Sequence, residues 1–97
     1  MLTQSQKKQL KALANNMDAL YQIGKKELGE QQLIMLDKAL EARELIKITV
    51  LKTVETPLTE LAIDLSMKLH AEVIQVIGRM IVLYRKNRKQ PKIHLGK

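Results

Sequence analysis

Residues 44–52 read ELIKITVLK. Ile46, Ile48 and Val50 alternate with Lys47 and Thr49, the two-residue period of a β-strand that buries one face. The segments on either side have a different period. Upstream, from Glu30 to about Ala42, good helix formers place Leu33, Leu36 and Leu40 on one face, with Glu30, Asp37 and Glu41 on a neighbouring stripe. Downstream, Thr56 reads as a cap and Pro57 as the first helical residue. Leu58, Leu61, Ala62, Leu65 and Leu69 then make an apolar stripe to about residue 69. A strand held between two amphipathic helices predicts an α/β fold.

The pattern extends outward in both directions. Residues 20–23 predict a short strand ending at Gly24. Before it, Thr3 and Gln6 have capping-box spacing, and Leu10, Leu13, Ala14 and Met17 recur at helical intervals, which predicts a helix over about 4–16 that stops at Asn15-Asn16. After the third helix, VIQVI (73–77) and MIVLYR (80–85) are β-branched runs separated by Gly78-Arg79, the spacing of a tight hairpin. Both runs are apolar on both faces, so helices should cover both sides of the sheet. The order αβαβαββ contains two βαβ crossovers. Their right-handedness puts the second and third helices on one face and leaves the first free to cover the other. The remaining KNRKQPKIHLGK (86–97) is polar and basic, with Ile93 and Leu95 expected to add a short edge segment.

Composition narrows the possibilities. A chain of 97 residues buries roughly 60–65% of its unfolded surface around one core. No repeat or linker divides it, so residues 1–97 are expected to form one domain with a basic tail from about 86. Apolar residues make up 45% of the chain, which contains no cysteine; disulfides and thiolate chemistry are therefore excluded. No apolar run approaches the ~18 residues of a membrane span and the N-terminus lacks a signal-peptide pattern, so a cytoplasmic protein is expected. Charge is segregated. Residues 1–26 hold five lysines and one aspartate, residues 27–78 five basic and nine acidic side chains, and residues 79–97 seven basic and no acidic ones. A surface built only for solubility intersperses the signs, so basic ends favour a polyanionic partner.

Residues 21–33, YQIGKKELGEQQL, bear on that partner. A glycine between a strand and a helix leaves backbone N–H groups uncovered, the helix N-terminus adds more, and Lys25 and Lys26 supply full charges, an arrangement suited to phosphate. On spacing alone an ordinary strand-to-helix turn with solvated lysines is the favoured reading, because Gly-Lys-Lys lacks the specificity of a complete P-loop, and no GxxxxGK[ST] motif is present to support nucleotide triphosphate chemistry. Lys7, Lys8 and Lys11 lie on one flank of the first helix. The cluster Arg85, Lys86, Arg88, Lys89 and Lys92 could follow a backbone groove or fray into solvent. Tyr21 and Tyr84 lie in strands, where burial is their expected role, so contacts should fall mainly on phosphate and sugar. His70, at a helix end, and His94, in the tail, read as surface residues far from any triad or metal pattern. No catalytic residue, metal ligand or cofactor is assigned.

Taken together, LKALANNMDALYQIGK, LEARELIKITVL and VIQVIGRMIVLYR resemble the YhbY family, the stand-alone form of the CRM RNA-binding domain, over essentially the whole chain to about residue 86. RELIK and QVIGRMIVLYR are its most specific segments here. The resemblance implies a four-stranded mixed sheet with three helices, similar to the C-terminal domain of a bacterial translation initiation factor. It also implies RNA binding and association with precursor large ribosomal subunits; multi-domain relatives in plants act in intron splicing. The family's GxxG-type loop, similar in role to that of KH domains, falls on Gly24, Lys25, Lys26 and Glu27. Glu27 stands where the second glycine is usual, placing a negative side chain where open backbone would meet phosphate. Asn15 and Ala19 also depart from the family's usual histidine and proline, with no functional reading attached.

A non-enzymatic module is therefore expected, binding RNA, in particular ribosomal RNA during large-subunit assembly, and needing neither membrane nor small-molecule substrate. Gly24, Lys25 and Lys26 would meet phosphate, while Lys7, Lys8, Lys11, Arg79, Arg85, Lys86, Arg88 and Lys89 would converge with them on one continuous basic surface. The rival is a protein adaptor that docks a ribosomal protein or assembly factor through the acidic second helix.

Overall fold

The computed structural model describes residues 2–24 and 29–96. In chain order its elements are α1 (Gln4–Asn15), β1 (Tyr21–Ile23), α2 (Glu30–Arg43), β2 (Leu45–Val50), α3 (Leu58–Leu69), β3 (Glu72–Ile77) and β4 (Met80–Tyr84). The strands form one mixed sheet in the order β1-β2-β4-β3. β1 runs parallel to β2, with Tyr21 opposite Ile48 and Ile23 opposite Val50. β4 is antiparallel to both β2 and β3. The final strand of the chain thus sits between its two neighbours, and β3 lies parallel to β2 across it. The expected αβαβαββ architecture is the one observed.

Side-chain alternation along the strands sorts the core into two layers. Ile23, Ile46, Ile48, Val50, Ile81 and Leu83 point to one face, where Leu36 and Leu40 of α2 and Leu61, Leu65 and Leu69 of α3 bury them. Leu45, Val82 and Tyr84 point the other way and, with Ile74, meet Leu10 and Ala14 of α1. The placement of α1 opposite α2 and α3 agrees with the crossover argument. Between Val73 and Gln75 the β3–β4 register slips, and Ile74 is the extra residue, turned into the α1 layer. Gly78 and Arg79 link these strands, with Ile77 opposite Met80. Gly78 has φ +57°, the conformation that a two-residue hairpin asks of its first loop position.

Several boundaries differ from those expected. The α3 cap is Pro57, not Thr56: Pro57 keeps an extended ψ of 139°, its ring makes no capping bond, and its carbonyl accepts from the Leu61 N–H at 3.0 Å. β4 ends at Tyr84, leaving Arg85 outside the sheet. Ile93 and Leu95 form no edge strand. They fold back against the α1 layer instead, because its cluster offers apolar contact and the tail's N–H groups are taken by side chains.

Candidate nucleic-acid interface

The strand register assigns the predicted cations to opposite ends of the sheet. At one end β1 runs out into Gly24, beside the exit of β2 and the β3–β4 hairpin. The Leu51 N–H donates to Ile23 at 2.9 Å and the Val50 N–H to Arg79 at 2.7 Å. The Arg79 guanidinium answers by donating to the Val50 and Leu51 carbonyls at 3.0 and 2.5 Å. Arg79 therefore closes this corner, its donors turned partly inward. Gly24 is half-buried, and a methyl group added there would stand 3.4 Å from Leu51 Cδ1, ordinary contact distance. Lys25, Lys26 and Glu27 lie outside the described residues. Gly29 caps α2 and, as glycine, brings no side-chain acceptor to the N–H groups of the first turn, where Glu30 adds a carboxylate.

The other end lies roughly 17 Å away along β2, at about 3.3 Å per residue over Leu45–Val50. Here the chain leaves β4 and is held by acidic groups. The Arg85 side chain, 17% exposed, bonds Asp37 Oδ1 at 2.6 Å and Glu41 Oε2 at 3.3 Å, and donates to the Leu69 and Asp37 carbonyls, both at 2.9 Å. It ties the second half of α2 to the ends of α3 and β4. This differs from its expected place on an outward basic surface: two carboxylates, the Asp37 carbonyl within α2 and the Leu69 carbonyl at the end of α3 form a more complete site for a guanidinium than open solvent does. The same contacts engage two of the three carboxylates of the acidic stripe, which weakens the case for α2 as a docking face.

Glu44 organises the tail. It follows α2 at φ +65°, where a side chain is strained, and is wholly buried. Its carboxylate accepts the N–H groups of Asn87 at 2.6 Å, Lys92 at 2.5 Å and Ile93 at 2.6 Å. Burial is the largest single influence on this carboxyl and pushes its pKa up. The three donors, with a contribution from His94, outweigh it and hold the group below the usual carboxylate range. Tyr84, nearby, is pushed above the usual phenol value by burial first, then by Glu44 and Glu72. Asn87 Oδ1 accepts from the N–H groups of Lys89 and Gln90, and Gln9 on α1 accepts from the Gly96 N–H at 2.9 Å. The basic tail is thus a fastened strap from which Lys86, Arg88, Lys89 and Lys92 project, all exposed. Between the strap, the α3 end at His70 and the α1 start at Leu2 lies a cleft of about 880 Å³.

Lys7, Lys8 and Lys11 are exposed on α1. Gln9, which holds the tail, is two residues from both Lys7 and Lys11, about 200° around the helix, so these two lysines lie on the flank away from Gln9, and Lys8, about 100° from it, lies between. Lys47 is not part of this set: its ammonium donates to the Ala14 and Met17 carbonyls at 3.2 and 3.4 Å and finishes the C-terminus of α1. Among the described residues the predicted cations are therefore not gathered into one cradle. They stand at the hairpin corner (Arg79), on α1 (Lys7, Lys8 and Lys11) and on the strap, which runs from α2, where Asn87 Nδ2 donates to the Glu41 carbonyl at 2.8 Å and Lys89 and Lys92 lie beside Lys38 and Ala42, to α1 at Ile93 and Gly96. Glu44 and the cleft carried no sequence signal that singled them out, except that a carboxylate immediately precedes an apolar strand. Among the described residues no helix is long and apolar enough to cross a membrane, and no cluster of three or more His, Asp or Glu could hold a metal.

With this geometry in hand, likeness to known proteins can be assigned. The family model of the CRS1 / YhbY (CRM) domain matches residues 2–85. The chain belongs to that family. Probable RNA-binding protein YqeI of Bacillus subtilis (strain 168) is 35% identical over 95 residues, covering 98% of this chain and 99% of its own. Probable RNA-binding protein PA4753 of Pseudomonas aeruginosa is 33% identical over 91 residues, covering 94% and 88%. The solution structure of SAV1595 from Staphylococcus aureus superposes with a TM-score of 0.82 at 44% identity, over 99% of this chain and all of that one.

Proposed function

We propose that the protein binds RNA, in particular ribosomal RNA of a precursor large subunit, and assists assembly of that subunit through contacts to the sugar-phosphate backbone. The observation that carries this is the concentration of cations without carboxylates on α1 and the strap. α1 and the strap present Lys7, Lys8, Lys11, Lys86, Arg88, Lys89 and Lys92 and no acidic side chain, while α2 and α3 carry Glu30, Asp37, Glu41, Glu60 and Asp64 against Lys38, Arg43 and Lys68. A strand laid along the protein meets the cations of α1 and those of the strap, and continues toward Gly24 at the far end of the sheet, which Lys25 and Lys26 follow in sequence. Family membership and the names of two relatives support the same reading. The ribosomal target comes from the family resemblance.

Filter binding across a salt series tests the mechanism. Neutralising about five phosphates gives a slope of log K against log salt near −3.5 on single-stranded RNA. Reversing Lys7 and Lys11 to glutamate should make that slope shallower by about 1.4. A slope near zero, or the same slope in the variant, counts against backbone binding by this face. Crosslinking in cells and sequencing of the bound RNA tests the target; recovery of RNAs other than large-subunit ribosomal RNA refutes it.

A further inference from the structure

The cleft between strap, α3 and α1 shares Lys86, Arg88 and Lys89 with the proposed backbone contacts, and the rest of its lining is of another kind. Lys86, Arg88 and Lys89 are exposed cations; His70 and His94 are exposed rings; Tyr84 is buried and Leu95 half-buried, so apolar surface lies deeper than the charges. Of its two carboxylates, Glu41 is paired with Arg85, which leaves Glu72 as an acceptor. A bare phosphate site would need only the cations. Depth, apolar walls and aromatic rings suit a base, and 880 Å³ is within the range of small-molecule pockets. Single-stranded RNA is commonly read by bases turned out of the strand against aromatic rings, with the adjoining phosphate on Lys or Arg.

We propose that this cleft receives one unpaired nucleotide of an RNA strand, its phosphate on Lys86, Arg88 and Lys89 and its base between His70, His94 and the apolar wall. Glu72 can accept from an exocyclic amino group, which makes cytidine a suitable base. Glu44 is a positioning residue for the site, since its three backbone bonds set the course of the strap that carries the cations. The site lies at the opposite end of the sheet from Gly24, so a strand holding both ends must run the length of β2. This rests on the RNA-binding reading, and it identifies the part of the RNA the strap side would select.

The test is an NMR titration of the full chain with cytidine 5′-monophosphate and, separately, inorganic phosphate. The expected result is saturable amide shifts at His70 and residues 84–95 with the nucleotide, weaker binding of phosphate alone, and about tenfold loss of nucleotide affinity in Arg88→Glu/Lys89→Glu. Both substituted side chains are exposed, so the fold is retained. Shifts confined to the Gly24–Arg79 corner, no saturable shift, or equal affinity for phosphate and nucleotide would overturn the proposal. The mononucleotide reports on the cleft alone and the filter-binding series on RNA binding at large, so failure of one is distinguishable from failure of the other.

Discussion

The two faces of the sheet are stabilised by different means. On the α2/α3 face, seven buried residues of two helices meet six of three strands in a continuous apolar layer. On the other face α1 buries only Leu10 and Ala14, and the deficit is made up by polar fastenings: Lys47 at one end of the helix, a capping box at the other, Gln9 on its flank, and Glu44 beneath the strap. Burying a large apolar side chain contributes roughly 1.5–3 kcal/mol and a typical hydrogen bond only about 1. The first face therefore supplies the stability of the fold. The second can expose a row of cations because little of its surface is consumed by packing.

The strongest test of this division is Leu65→Ala, at the centre of the larger layer and fully buried. It should cost about 3–5 kcal/mol in urea denaturation and unfold the whole chain cooperatively. A loss below about 1 kcal/mol would mean that the α2/α3 face is not the stabilising one.

Next in size is Glu44→Gln. An amide cannot receive three N–H donors as a carboxylate does, and a loss of about 2–3 kcal/mol is expected. The pH dependence has a definite sign. Because the folded-state pKa lies below the ordinary value of 4.5, the contribution of Glu44 is full above that value and is lost as pH falls through the lower, folded-state value. Stability of the native chain should fall more steeply below pH 4.5 than that of the variant. Parallel curves would show that the carboxylate's charge does not hold the strap.

Legibility in the sequence follows the same division. Strong periodicity in ELIKITVLK and in the Leu58–Leu69 stripe specified β2, α3 and with them the αβαβαββ order of elements, because apolar burial leaves a repeating trace. Of the polar fastenings only the Thr3–Gln6 capping box shows in the sequence, through its spacing; the others leave no such trace. Arg85 reads as one more cation of a basic tail until α2 and α3 bring Asp37, Glu41 and the Leu69 carbonyl to it from distant parts of the chain. Lys47 reads as the solvent side of a strand, yet it finishes a helix that begins more than forty residues earlier. The basic face was visible as composition, but its division into corner, flank and strap depends on a strand register that no local pattern encodes.

The smallest effect concerns α1 itself. Thr3 Oγ1 accepts from the Gln6 N–H and Gln6 Oε1 from the Thr3 N–H, both at 3.0 Å, whereas Gly29 and Pro57, the cap residues of α2 and α3, make no side-chain hydrogen bond. A helix with two buried side chains depends on its end bonds more than one with three or four. Thr3→Ala should cost about 1 kcal/mol. Hydrogen exchange is the informative readout, since a layer held by separate fastenings opens at lower free energy than the rest. Amides of α1 and of the strap at Lys92, Ile93 and Gly96 should exchange faster in the variant, while those of α2, α3 and β2 keep their protection. Uniform acceleration across both layers would show instead that the faces unfold as one unit, and that the basic face has no independent freedom to open when a strand is laid on it.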